Sequence, residues 1–485
     1  MNATTTAGTA LTAAGGMDEN PLDLLPEVLL AASAVLGLLL GSWLPRHRQW
    51  PVAALGAAAC AAGIAAAVRR AAVADGPEPA FDGAFAVDAV TSTVRVVILA
   101  GTLVVLVLGR AAFRADARES EFSVLVQLTA LGALMLAGAQ DLLLLAAAYL
   151  LASVPAYTLA GFRKDAPGTE AALKYFVTGA LLGAVMLAGI TLLFAAGGAS
   201  AYPRLGDELP GAPAGLVTAG TVGVLAGLLF KAGGVPGHFW VPDAVQGSSP
   251  AAAALLTTLP KAGALAALHR LAAVPLAGTR APWDELIAVL AAASMTLGNL
   301  AAFFQTDVRR MLAYSTVSQV GYLLLPVAVA TRSGAAQPAL LYYLAAYALT
   351  NLGAFAVVCA LPHARAPADY RGLLRARPAL AVSFAVCLLG LLGTPPTAVF
   401  LGKLEVFTAA VDGGYAWLAV VAAANTVASL FYYLRWIHPA VSAGPRTHPV
   451  VRPAARTAYA AAAASVVLGV TAGPVLALLD GPLTR

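Results

Sequence analysis

Residues 227–240 read GLLFKAGGVPGHFW. The stretch sits in an apolar run long enough to cross a bilayer core, which takes about 20 residues of helix. Yet it carries Lys231, with Pro236 five residues later and His238 seven residues later. An ammonium group at the centre of a membrane helix costs about 2.5–3.5 kcal/mol on insertion scales, so it needs a reason to be there. Proline removes a backbone donor and clashes with the preceding turn, so Pro236 should break the helix. Two further stretches repeat the theme. TTLPKAGALAAL, 257–268, places Lys261 near mid-span, and GTPPTAVFLGK, 393–403, places Lys403 eight residues after Pro395, which is followed by Pro396. Broken helices beside buried charge are how membrane transporters expose backbone groups at mid-membrane depth.

The rest of the chain agrees with a bilayer as its solvent. Of 485 residues, 60% are hydrophobic and 11% charged, with a mean hydropathy of +0.81. Soluble domains carry about 25% charged residues. The net charge of +5 does not point to nucleic acid, because the basic residues lie mostly in short loops and so report topology. Cys60, Cys359 and Cys387 lie in apolar runs at wide spacing, which suits small buried hydrophobes and gives no disulfide or metal pattern. The histidines show no HxxxH or HxxE spacing, and no glycine-rich nucleotide loop follows a strand, so no metal or cofactor is expected in this chain. The start lacks a basic segment and carries Asp18, Glu19 and Asp23, unlike a cleavable signal peptide.

Apolar runs predict fourteen spans: 27–44, 51–68, 84–108, 121–139, 140–161, 171–196, 215–240, 250–275, 286–304, 311–331, 339–361, 379–407, 414–437 and 457–480. With the N-terminus outside, the cytoplasmic loops hold 17 of the 29 lysines and arginines, including Arg46, Arg163, Arg309, Arg310 and Arg446. The opposite side holds seven, among them Arg270 and Arg485. That asymmetry fits the positive-inside rule and puts both termini on the outer side.

With Arg270 and Arg435, near the ends of their spans, counted among the loop residues, five basic residues fall within spans. Lys174, four residues into its span, suits snorkelling to the interface. Arg95, seven residues after Asp88, suits an internal ion pair as well as a functional role. Lys231, Lys261 and Lys403 read instead as proton carriers. Burial favours the neutral form of an amine, which lets a lysine take up and release a proton. Several in line, bridged by hydroxyls and water, make a relay, which His238 extends towards one side.

FKAGGVPGHFWVPDAVQGSSP (230–250), DVRRMLAYSTVSQVGYLLL (307–325), NLGAFAVV (351–358), DYRGLLRARP (369–378) and LLGLLGTPPTAVFLGK (388–403) resemble the antiporter-like membrane subunits of respiratory complex I. EAALKYFVTGALL (170–182) and NTVASLFYYLRW (425–436) are closer to one branch, subunit N of bacterial NADH–quinone oxidoreductase. The resemblance covers roughly 27–440. It implies an all-α polytopic fold of about fourteen helices, with broken spans seven and twelve. The implied division is an outer tail (1–26), spans one to three (27–120), two inverted five-span repeats (121–275 and 276–440) and a last span with the C-terminus (441–485). It matches the family's proton-carrying lysines to Lys231, Lys261 and Lys403. It also implies a translocase subunit without a redox centre in the respiratory chain of a bacterial inner membrane. Partner subunits of the membrane arm would surround it, and NADH and quinone would be used by other subunits.

One departure stands out. The family carries a glutamate on the fifth span, in a pattern like D-L-L-x-L-x-x-G-L-E-L-x-S-L, whereas this chain reads DLLLLAAAYLLASVP from Asp141. The glutamate position falls on Leu150, beside Tyr149, and Asp141 is nine residues away, about 13.5 Å along a helix. Gln319 replaces a histidine common in N-type subunits. Asp141, Tyr149 and Lys174 are the candidate supporting residues. Without the carboxylate, pumping is expected to be weak or to use another acid. The alternatives are a subunit of a cation/proton antiporter or membrane-bound hydrogenase of the same fold, or a structural paralogue that does not pump.

Overall fold

Runs of Ala, Leu and Val, started by proline or an acidic cap, give the chain its helices. The computed structural model describes residues 21–73, 76–114, 116–444 and 449–484. Asp18, Glu19, most of the expected outer tail, Arg446 and Arg485 lie outside the described residues. Helices α1 (Leu25–Trp43) and α2 (Trp50–Val73) lead to a hairpin of β1 (Glu78–Ala80) and β2 (Phe85–Val87), antiparallel with Pro79 opposite Ala86. Then follow α3 (Ala89–Ala112), α4 (Glu119–Gly138), α5 (Leu142–Ala160), α6 (Ala166–Gly197), α7 (Tyr202–Glu208) and α8 (Ala214–Ala232). Next come α9 (Trp240–Gly247), α10 (Pro250–Leu256), α11 (Leu259–Ala273), α12 (Trp283–Phe303), α13 (Val308–Ala328) and α14 (Ala336–Ala360). The chain continues with α15 (Leu373–Ala376), α16 (Pro378–Leu392), α17 (Ala398–Asp412), α18 (Ala416–Val441), α19 (Arg452–Val470) and α20 (Ala472–Leu479).

Twelve helical stretches among the described residues are long and apolar enough to cross a membrane, or thirteen if the bent pair α19–α20 is one span. The run expected at 379–407 falls on α16 and α17, of 15 residues each and separated at Gly393–Thr397. Three sequence expectations need correction. The third span does not begin at 84, because 85–87 pair as β2 and Asp88 caps α3 by accepting from the Thr91 amide at 3.0 Å. The seventh ends at Ala232 and not near 240. The eighth is interrupted between α10 and α11, where Pro260 opens a new helix at its second position.

Caps fix two further starts. Asp141 accepts from the amides of Leu143 (2.7 Å) and Leu144 (3.3 Å), and Asp307 from those of Arg309 (2.9 Å) and Arg310 (3.1 Å). The short link between α4 and α5 at Gln140-Asp141, expected from sequence, is held on both sides. The Gln140 amide donates to Ala84 and its carbonyl accepts from Tyr202.

Burial sorts the helices into layers. The most apolar window of α10–α11 is 100% buried, that of α13 94% and that of α14 83%, against 33% for α6 and α18. In water a helix apolar all round would be fully enclosed, whereas here the exposed faces of α6 and α18 meet lipid. Without a hydrophobic drive between helices in lipid, close packing at small residues holds the layers. A Cβ on Gly189 of α6 would stand 2.6 Å from the Gly220 carbonyl of α8, and one on Gly298 of α12 would stand 2.5 Å from the Ser318 amide of α13.

Candidate functional site

A helix leaves its last carbonyls without intrahelical donors, and in lipid none goes unmet cheaply. At the end of α8, Gly233 turns the chain at a left-handed φ of 76°. The amides of Gly233 and Gly234 return to Leu229 O at 2.8 and 2.9 Å, and the Trp240 indole donates to Phe230 O at 2.9 Å. The carbonyl of Ala232, the last helical residue, accepts from Nζ of Lys261, which reaches across from the first turn of α11. A Cβ on Gly233 would stand 2.5 Å from that Nζ, so the glycine at this left-handed turn leaves room for the lysine.

The end of α16 is built alike. Gly393 has φ 92°. The amides of Gly393 and Thr394 and the Thr394 hydroxyl return to Leu389 O at 2.9–3.0 Å. Leu391 O accepts from the Gln319 amide at 2.8 Å, and Leu392 O from Lys403 Nζ at 2.9 Å. Lys403 also donates to Thr426 Oγ1 at 3.2 Å and lies 4.1 Å from the Tyr322 ring centroid. The negative end of each helix dipole thus faces an ammonium group. Pro236 and Pro395-Pro396 follow these two ends and lie in the non-helical links, as their sequence suggests.

Lys231, wholly buried on the last turn of α8, has no such carbonyl. Its Nζ donates to Ser153 Oγ of α5 at 2.5 Å, and that hydroxyl donates onward to Tyr149 O at 2.6 Å. The rings of Tyr149 and Tyr157 lie 5.1 and 5.9 Å from it, within cation–π reach. Among the described residues none of the three lysines forms an ion pair with a carboxylate.

One face of α14 joins the two breaks. Asn351 Nδ2 donates to Thr257 and Thr258 Oγ1 at 3.0 and 2.9 Å, just before the turn that carries Lys261. Tyr347 donates to Thr257 O at 2.7 Å, and Tyr343 to Gln319 Oε1, whose amide holds the end of α16. Residues 343, 347 and 351 are one turn apart and share a face.

Residues 139–429 match the family described as NADH:quinone oxidoreductase/Mrp antiporter, TM. The chain belongs to this family. It is 52% identical to "NADH-quinone oxidoreductase subunit N 1" of Streptomyces griseus subsp. griseus, over 95% of this chain and 98% of the relative. A chain of respiratory complex I from Thermus thermophilus superposes with a TM-score of 0.82 at 34% identity, covering 94% of this chain and 100% of that one. A chain of the Mrp complex from Dietzia sp. shares the fold, with a TM-score of 0.84 at 23% identity over 95% and 97% of the two chains.

Against the family's helix-five glutamate, the structure revises the reading of α5. Leu150 is 50% exposed and points away from the interior, so the residues facing Lys231 are Tyr149 and Ser153. Asp141 is occupied as the cap of α5. Lys174 sits at the surface, paired with Glu170 (2.7 Å) and with Asp243 (2.9 Å), which Arg310 also holds at 2.5 Å. Burial would raise the Asp243 carboxyl, but Lys174 and Arg310 outweigh it and keep it below the ordinary carboxylate range. His238 is half-buried, its ring against Phe239 and its Nδ1 without a partner among the described residues.

Arg95 forms the internal pair its position allowed, with Glu27 at 2.7 Å. Arg270 corrects the loop count. It is fully buried on α11 and binds Asp88 at 2.7 and 2.9 Å, so it says nothing about topology. Ser153, Tyr322, Thr426 and the α14 ladder were not singled out from sequence, because hydroxyls and amides in apolar runs carry no spacing signal of their own.

Proposed function

We propose that this chain is the N-type, proton-translocating membrane subunit of a bacterial NADH–quinone oxidoreductase. The observation that carries the reading is the set of three buried lysines held by hydroxyls, rings and helix-end carbonyls, with no carboxylate paired to them among the described residues. Buried cations are ordinarily paired, and a lysine left without an acid is poised to change its protonation state. The extent of the likeness to a subunit N supports the choice within the family.

In this reading Lys231 is the central carrier, Lys261 and Lys403 follow along the α14 face, and His238 and the Asp243 cluster lie towards the cytoplasmic intake. The alike construction of the α8 and α16 ends supports two inverted repeats, over 121–275 and 276–440. The chain carries no redox step itself. Other subunits use NADH and quinone, and their reaction drives the protons. Other membrane-arm subunits and the lipid bilayer are its partners. It sits in the bacterial inner membrane with both termini outside, as the excess of basic residues in the alternate loops supports.

The test is Lys231→Ala in the purified complex reconstituted into vesicles. Protons moved per NADH oxidised should fall while NADH oxidation by the complex continues. Unchanged pumping would leave a structural subunit. Co-purification with antiporter subunits, without NADH- and quinone-binding partners, would give the antiporter reading.

A further inference from the structure

Helix α11 carries a second titratable group, and the relay described above does not use it. His269 lies eight residues beyond Lys261, about 12 Å along the same helix. It is 1% exposed, and neither ring nitrogen has a hydrogen-bond partner among the described residues. A buried polar group left in this condition calls for an explanation. The ring borders a cavity of about 970 Å³ whose other walls include Arg332, Gln337, Asp480 and Thr484. That space is polar and has room for on the order of tens of waters. Arg332 stands in its wall with its side chain 44% exposed.

The wall is built, not incidental. Segment 480–484 is strapped across α3, α4 and α14 by hydrogen bonds. The Thr484 amide donates to Asp88 Oδ2 at 3.2 Å, Gln140 donates to Thr484 O at 2.8 Å, and Gln337 donates to Gly481 O at 2.7 Å. The neighbouring Arg270 is saturated by Asp88 and Thr91. His269 is therefore the group on this end of α11 left free to exchange a proton with the cavity.

We propose that His269 and this cavity form an exit for protons passing through the chain. The inference rests on the proton-translocating reading above. The Lys261 ammonium gives up one proton and becomes an amine. Water entering from the cavity carries that proton along α11 to one ring nitrogen of His269. The imidazolium then releases a proton from its other nitrogen to cavity water, which restores the neutral ring. The groups around the imidazole are Arg270, Asp88 and Gln337, with Arg332 and Asp480 in the cavity wall.

The experiment uses the whole complex in vesicles, with proton pumping and NADH oxidation measured together. His269→Ala should lose as much pumping as Lys231→Ala does, and added imidazole should restore it, which it would not do for a merely structural residue. Full pumping in His269→Ala beside a deficient Lys231→Ala would overturn the exit alone. Full pumping in both would overturn the underlying reading. Should His269→Ala fail to assemble, Ser333→Cys in the cavity wall, labelled with a bulky maleimide, tests the same route. Labelling should slow pumping, and unaffected pumping after complete labelling would refute the exit.

Discussion

Two regions of this membrane protein treat buried positive charge in opposite ways. Along the first turns of α3, each buried arginine has its own acid: Arg95 has Glu27 of α1, and Arg270 of α11 has Asp88, both at 2.7 Å. Along the axis through the two broken helices, Lys231, Lys261 and Lys403 have none among the described residues. The chain pairs buried cations where they fix structure, so the bare lysines are not a failure of pairing. Their partners are groups that tolerate either protonation state. Within the axis there is a further distinction. Lys261 and Lys403 complete a helix end, whereas Lys231 rests on a hydroxyl that is satisfied elsewhere and on two tyrosine rings.

Substitutions that break this contrast should rank by what they leave unpaired. Asp88→Asn strands a buried guanidinium and should cost about 3–5 kcal/mol, read as a large drop in the melting temperature of the purified complex. Burial would raise the Asp88 carboxyl, but Arg270 outweighs it and holds the group at about 2. Its contribution is therefore fully present above about pH 3.8 and lost as pH falls through about 2. Acid melting curves of wild type and Asp88→Asn should converge below that point.

Leu150→Glu places a charge on the outward face and should cost about 2.5–3.5 kcal/mol on insertion scales, with no gain in pumping. Ser153→Glu, beside Lys231, should alter pumping. The reverse pattern in reconstituted vesicles would show that α5 faces otherwise.

Lys261→Met and Lys403→Met each leave a buried carbonyl without a donor, worth about 1–3 kcal/mol in thermal melts. Lys231→Met should change stability least, near zero, because Ser153 keeps its bond to Tyr149 O and an apolar replacement of similar size is often neutral. Yet it should cost the most pumping, so a large destabilisation there would erase the distinction between carrier and cap.

The breaks and their lysines were legible because a charge and a proline in an apolar run violate two strong rules at once. Pro260 marks the interruption before α11, but a single proline next to Lys261 does not by itself say that the span breaks there. The face of α5 was not legible: DLLLLAAAYLLASVP is apolar all round, so its composition does not say whether Tyr149 or Leu150 turns inward. From sequence Arg270 counts with the loops, because its partner, Asp88, is 182 residues away and no local pattern joins them. The strap at 480–484 likewise depends on bonds to Asp88, Gln140 and Gln337, contacts that only the folded chain creates.

Helix α6 has 32 residues, about 48 Å of helix against a hydrocarbon core of about 30 Å. Such a helix must tilt or stand out of the membrane, and its tilt follows lipid thickness. Its first turns hold Asp243 of α9 through Lys174, and its second half is locked to α8 at Gly189. Both helices that flank the first break are thus fastened to one lipid-facing lever. Thinner and thicker bilayers would pull on that break differently, making acyl-chain length a mechanical input to the proton path.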